Sequence, residues 1–175
     1  MASEMNYVWG SEAILWGNEV TDKYTMKLLK PNAGRFGCLS LQYHEEKDES
    51  WTIMVGEVWA LLVIDGLVCT KILKPGDFQN IPAKTIHRLM GLAQHVRVLE
   101  ASSLDKHAAD TNKPKDVTRL DCVFGRESID YEDQEIVQTC LKYTEEAIEY
   151  FIKGVEPPQY HPERFSNLNL FSIDN

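Results

Sequence analysis

VWALLVIDGLVCTKILKPGD, residues 58–77, decides the fold class. The apolar run 58–64 is strand length, far short of a membrane span. Asp65-Gly66 follows it, the pair that a two-residue hairpin turn requires. A second run, 67–73, then ends at Lys74-Pro75-Gly76-Asp77, another turn. Two strands joined by a tight turn must lie antiparallel. Outward from this hairpin the pattern repeats. WTIMV (51–55) ends at Gly56, and FQNI leads to Pro82. IHRLMG (86–91) and HVRVLEAS (95–102) follow. Upstream, CLSLQY (38–43) alternates, and YTMKLLK (24–30) ends at Pro31 before the turn-rich PNAGRFG. Many short strands with turns every 8–12 residues predict an antiparallel sandwich or barrel and exclude a βαβ fold.

Residues 103–118 are polar, contain Pro114 and are expected to be a loop. From about 131 to 153 the period changes. Ile136, Val137, Cys140, Leu141, Ala147, Ile148, Phe151 and Ile152 fall on one helical stripe. Asp130 is the expected N-cap, with Asp133 near the first turn, and Gly154 suits the position after the helix. Pro157-Pro158 prevents continuation. The tail is expected to be irregular, with Phe165, Leu168, Leu170 and Phe171 as docking residues. The domain reading is a barrel over 1–126, then a helix and tail over 127–175 that pack on the barrel or on a second subunit.

The chain has 175 residues, enough for one domain with a sizeable core. A formal net charge of −9 disfavours nucleic acid and anionic membranes as partners. The cysteines Cys38, Cys69, Cys122 and Cys140 form no CxxC pair, and three of them lie in apolar stretches and read as small core residues in a reducing compartment. The N-terminus lacks a basic start followed by an apolar run, so no signal peptide is expected, and a cytoplasmic location is.

The chemistry concentrates in SLQYHEEKDESW, residues 40–51. Gln42 and His44 are two apart on a predicted strand and share a face. Glu49 lies across a short turn at the start of the next strand. The three donors can therefore converge, and His87, just after KPGDFQNIPAKT, is the best fourth. Two imidazoles, a carboxylate and an amide oxygen suit one borderline or hard divalent ion: Zn, Mn, Fe, Co or Ni. No thiolate takes part, which excludes a structural zinc finger. The alternative is a solvated hairpin tip, with His44 a surface residue beside Glu45, Glu46, Lys47 and Asp48.

These residues resemble the two motifs of the cupin superfamily. Gln42, His44, Glu49 and Gly56 match the first, with six residues between Glu49 and Gly56; Gly76, Pro82 and His87 match the second. The likeness is closer to the type II mannose-6-phosphate isomerase cupin. It is carried by Trp16-Gly17, LSLQYHEEKDESW, KPGDFQNIPAKTIHRL, VLEAS and KDVTRLDCVFGR, over roughly residues 15–126. The chain departs from that pattern at Lys47 (arginine in the family), Ser50 (histidine), Phe124 (tyrosine) and in the residues after Leu89.

The resemblance implies an all-β fold: a cupin double-stranded β-helix, or jelly-roll barrel, with a C-terminal α-helix added. It implies a metal held by Gln42, His44, Glu49 and His87, and an aldose–ketose isomerase working through a cis-enediol on a sugar or sugar phosphate. Glu100, on the last barrel strand, is the expected proton shuttle. Arg119 and Arg126 match the family's arginines and are expected to stabilise an enediolate or clamp a phosphate. Lys47, Lys84 and Arg88 are further candidate anion contacts. A non-catalytic sugar-binding or sensory cupin and an iron cupin oxygenase are the alternatives. The helix stripe and the edge strands of a small barrel suggest a homodimer.

Overall fold

The computed structural model describes residues 4–17 and 19–165. Among them are β1 (Glu4–Tyr7), β2 (Gly10–Trp16), β3 (Tyr24–Pro31), β4 (Leu41–Tyr43), β5 (Glu49–Val55), β6 (Val58–Ile64), β7 (Leu67–Leu73), β8 (Phe78–Ile81), β9 (His87–Gly91), β10 (Arg97–Ser103) and β11 (Thr118–Asp121). They form two sheets, ordered β1-β2-β3-β10-β5-β8 and β11-β4-β9-β6-β7. Every pairing between them is antiparallel.

The sheets face each other across one apolar core. Leu29, Trp51, Ile53, Ile81 and Val98 come from the larger sheet, and Val58, Ala60, Leu62, Leu73 and Leu89 from the smaller. β6 explains why its sequence shows no polar alternation. Val58, Ala60, Leu62 and Ile64 face this core, while Trp59 and Leu61 belong to a second cluster on the outer face. A strand buried on both faces reads as a continuous apolar run. The turn after it is as expected: Asp65 and Gly66 have φ of 51° and 74°, the left-handed pair that matches the twist of a hairpin.

The outer cluster is closed by α2 (Gln134–Ile152), whose buried residues are Val137, Cys140, Thr144, Ala147 and Ile148. Its N-cap is Asp133, not Asp130: the Asp133 carboxylate accepts the Ile136 amide at 3.1 Å. An N-cap side chain reaches an amide two or three residues on, which Asp130 is too far ahead of Ile136 to do. Gly154 has φ of 68° and its N–H donates to the Phe151 carbonyl at 3.0 Å, ending the helix as expected. Ile152 leaves the stripe and is 74% exposed.

Beyond the helix the chain runs along the edge of β7. Thr70 N–H donates to the Tyr160 carbonyl at 2.7 Å, and Ile72 N–H to Gln159 Oε1 at 3.0 Å. An edge strand is thereby covered. Phe165 is fully buried in the core between the sheets; Leu168, Leu170 and Phe171 lie outside the described residues. The expected 103–118 loop carries a single helical turn, α1 (Lys106–Ala109). All four cysteines are free and buried. Among the described residues, no helix is long and apolar enough to cross a membrane.

Candidate metal centre and cavity

Gln42 lies in β4 and is the register partner of His87, the first residue of β9. Arg119 of β11 is the partner of Gln42 on its other side. Register partners share a sheet face, so Arg119, Gln42 and His87 form one row across the inner face of the smaller sheet. Glu49 opens β5 in the larger sheet, and His44 sits in the link between the sheets.

These positions bring His44, Glu49 and His87 together, with one ligand atom of each within 4.8 Å of the others. His44 Nε2 lies 3.0 Å from Glu49 Oε1, and His87 Nε2 lies 3.6 Å from Glu49 Oε2. His44 and Glu49 are only 5% and 6% exposed. That excludes a solvated tip for these two; Glu45, Glu46 and Asp48 are the residues at the surface. The Gln42 amide approaches His44 Nε2 to 3.5 Å. Its oxygen and nitrogen interchange by a half-turn of the amide.

Both imidazoles are oriented from behind. His87 Nδ1 donates to the Thr85 carbonyl at 2.8 Å, and His44 Nδ1 to the Asp116 carbonyl. A carbonyl only accepts, so each Nδ1 carries a proton and each Nε2 faces the site. Burial pushes the His87 pKa down to about 4, so this ring is neutral at neutral pH. Its buried Nε2 has no hydrogen-bond partner. A buried, neutral, unpartnered nitrogen beside a carboxylate and a second imidazole is a donor set that fits a divalent ion.

Asp116 holds the turn between the ligands. Its carboxylate accepts the backbone N–H groups of Glu45, Glu46 and Lys47 at 2.9, 3.1 and 2.9 Å. Partial burial opposes its ionisation, but these donors outweigh it and the pKa is lowered.

Lys47 is buried, and its ammonium contacts Glu49 Oε1 and lies 3.5 Å from Glu100 Oε1. Burial works against its charge, yet Glu100 and Glu49 raise its pKa. Glu100 lies on β10 beside Lys27 of β3. Burial and the Glu49 charge raise the Glu100 pKa. Arg126 donates to Ser40 Oγ at 2.7 Å and to Cys122 Sγ at 3.2 Å. Arg119 Nε is buried without a hydrogen-bond partner.

Two expected anion contacts are elsewhere. Arg88 follows His87 on the strand and so points to the opposite face. It is 1% exposed and binds Asp121 Oδ2 at 2.5 Å and Thr144 Oγ1 at 3.1 Å, beneath α2. Lys84 is exposed and 3.8 Å from Glu45; it does not line the cavity.

The cavity at the site has a volume of about 620 Å³. Gln42, His44, Glu49, Glu100, Arg119 and Arg126 all line it. Met5, Tyr7, Trp9, Glu12 and Ile14 of the N-terminal hairpin also line it, and the sequence reading missed them because its strand series begins at residue 24. Asp116 lies within KDVTRLDCVFGR, but its role depends on backbone contacts that no motif encodes.

No protein-family model matches the sequence, and no curated protein matches it. Solved structures do match in architecture. The capsular polysaccharide assembling protein CapF from Staphylococcus aureus superposes with a TM-score of 0.57 at 14% identity, over 70% of this chain and 32% of its own. A variant oxalate decarboxylase from Bacillus subtilis gives 0.56 at 13%, over 95% and 37%. The formate complex of a Lactobacillus farciminis oxalate decarboxylase gives 0.51 at 15%, over 59% and 30%. The chain spans about a third of the length of these proteins. Identities this low speak to architecture alone, and with the two antiparallel sheets they establish the fold as the all-β cupin double-stranded β-helix, carrying a C-terminal helix.

Proposed function

We propose that the chain is a metal-dependent aldose–ketose isomerase acting on a phosphorylated or otherwise anionic sugar, similar in chemistry to the type II mannose-6-phosphate isomerases. The observation that carries this reading is a cavity lined by His44, Glu49, the Glu100 carboxyl and two arginines, with His87 clustered behind His44 and Glu49. Among the described residues, six carboxylate side chains and six lysines or arginines line it. It is therefore neutral before a cation enters, in a chain of net charge −9. A divalent ion makes it cationic, which favours an anionic ligand. Lys27, Lys47 and Lys106 each have a carboxylate partner, whereas Arg119 and Arg126 have none among the ion pairs of the described residues. The naming of CapF for capsular polysaccharide assembly is in keeping with a carbohydrate ligand.

Gln42, His44, Glu49 and His87 would hold the ion, which when bound supplies Lewis-acid polarisation of the sugar oxygens. Glu100 takes the C2 proton and returns it to C1, through a cis-enediol. A proton passes from the C2 oxygen to the C1 oxygen in the same conversion, so no oxidant or reductant is needed. Lys47 joins Glu49 to Glu100 and fixes both carboxylates. Arg119 and Arg126 hold the anionic group and fix the sugar's direction in the cavity.

Sugar phosphates in deuterated water, followed by NMR, test this reading. Metal-loaded protein is expected to exchange the migrating hydrogen. Glu100→Gln should lower exchange about 100-fold or more with metal content unchanged. Undiminished exchange in a His44→Ala, His87→Ala double variant would overturn the metal-dependent reading. Binding without exchange would assign the cavity to a sugar-binding protein instead.

A further inference from the structure

We infer that the β1–β2 hairpin is the specificity wall of the cavity, with Tyr7, backed by Trp9, receiving the apolar C–H face of a sugar ring whose anionic group lies at Arg119 and Arg126. This rests on the function proposed above and adds the ligand's shape to it. Apart from Trp16 at its end, the hairpin precedes the stretch that resembles the isomerase cupins, so no motif assigns a role to Tyr7 or Trp9.

The cavity's apolar lining includes Met5, Tyr7, Trp9, Ile14, Leu29 and Leu39. Four of these six belong to the hairpin or its turn. Tyr7 and Trp9 stack with centroids 5.1 Å apart and planes 8° from parallel. Trp9 is 5% exposed and anchored in the core, whereas Tyr7 is 36% exposed. The accessible ring is thus Tyr7, held flat from behind by the indole. Its tip is fixed too: the phenol donates to Glu12 Oε1 at 3.1 Å. Glu12 is paired across the hairpin with Met5, whose sulfur lies 3.6 Å from the same phenol oxygen.

An oriented aromatic ring in a cavity that also holds charged side chains separates ligands by their apolar face. Its negative π-face attracts the polarised C–H groups of a sugar ring, and little ring motion has to be frozen on binding. A small inorganic anion can use the arginines but offers this ring nothing. The hairpin should therefore contribute to a sugar phosphate's affinity and not to that of phosphate alone.

Calorimetric titration of the full, metal-loaded chain separates the two. The probes are a hexose 6-phosphate and inorganic phosphate. Tyr7→Ala is expected to weaken the hexose phosphate roughly tenfold and leave inorganic phosphate unchanged. Tyr7→Phe keeps the ring and should stay within about twofold of the wild type, whereas Arg119→Ala should weaken both ligands. A melting curve checks that each variant is folded. Equal weakening of both ligands by Tyr7→Ala, or none, would overturn the hairpin's role while leaving the site reading intact. A wild-type protein that binds neither probe overturns the site reading and this inference together.

Discussion

Asp116 ties together more of the site than any single motif residue reveals. Its carbonyl fixes the tautomer of His44, and its carboxylate fixes the turn that carries Lys47 back toward Glu49. Asp116→Ala keeps the carbonyl that meets His44 but removes the carboxylate that holds the turn between His44 and Glu49, and it is expected to lower metal affinity about 10- to 100-fold. Titration against a chromophoric chelator measures it; unchanged affinity would mean that the ligands need no support from the turn this carboxylate holds. At this scale the sequence was legible where chemistry follows chain spacing. Gln42, His44, Glu49 and His87 could be named because strand alternation puts Gln42 and His44 on one face and the turn returns Glu49. Arg88 could not be placed correctly, because its partners Asp121 and Thr144 are 33 and 56 residues away. A long-range ion pair leaves no local pattern.

At the scale of elements, α2 is docked by apolar burial and by the Arg88 guanidinium. Thr144 shows how: its hydroxyl donates to the Cys140 carbonyl at 2.8 Å and accepts from Arg88 at 3.1 Å. A threonine within the stripe reads as a break in periodicity, yet here it is 1% exposed and satisfied. Arg88→Ala removes the buried guanidinium but leaves an Asp121 carboxylate that is 30% exposed and can be solvated, so it should cost about 1–3 kcal/mol in urea unfolding. A cost below about 1 kcal/mol, the range of exposed ion pairs, would show that the pair does not anchor the helix. Phe165 closes the core from the tail, and Phe165→Ala should cost about 3–5 kcal/mol. If instead that variant unfolds at the wild-type urea concentration, the tail is dispensable to the barrel. The stripe that suggested a dimer is occupied within the chain by the outer face of the smaller sheet. The edge of β7 is likewise covered by residues 159 and 160. The N-terminal hairpin escaped the sequence reading because β1 has only four residues and no apolar alternation: its burial pattern is exposed, half-buried, exposed, exposed.

Across the whole molecule, turn punctuation made the two-sheet fold legible: each strand from 24 to 102 ends at Gly, Pro or Asp-Gly, or runs into polar chain. What spacing could not give was which strands are neighbours, since β3 pairs with β10 and β4 with β11 although the paired residues are far apart in sequence. Those distant pairings build the cavity. The sealed core also sets the alkaline limit of stability. Burial pushes the Cys38 and Cys140 thiols up to about 11 and about 12. Unfolding releases them to about 8.5. A folded pKa above the unfolded one stabilises the protein below the unfolded value, and that stability is lost as pH rises toward the folded value. Unfolding free energy should therefore fall between about pH 9 and pH 12, at about 1.4 kcal/mol per pKa unit for each thiol. Urea titrations across that range measure it. Cys38→Ala and Cys140→Ala should flatten the fall, and an unchanged slope would rule out these two thiols as its source.

The most direct measurement is the metal content of purified protein after loading with a divalent ion and removal of excess, read by elemental mass spectrometry. The expected result is about one ion per chain in the wild type and almost none in the His44→Ala, His87→Ala double variant, with both folded. A wild type that retains no ion, or a double variant that retains as much as the wild type, would contradict the metal centre and every functional reading built on it.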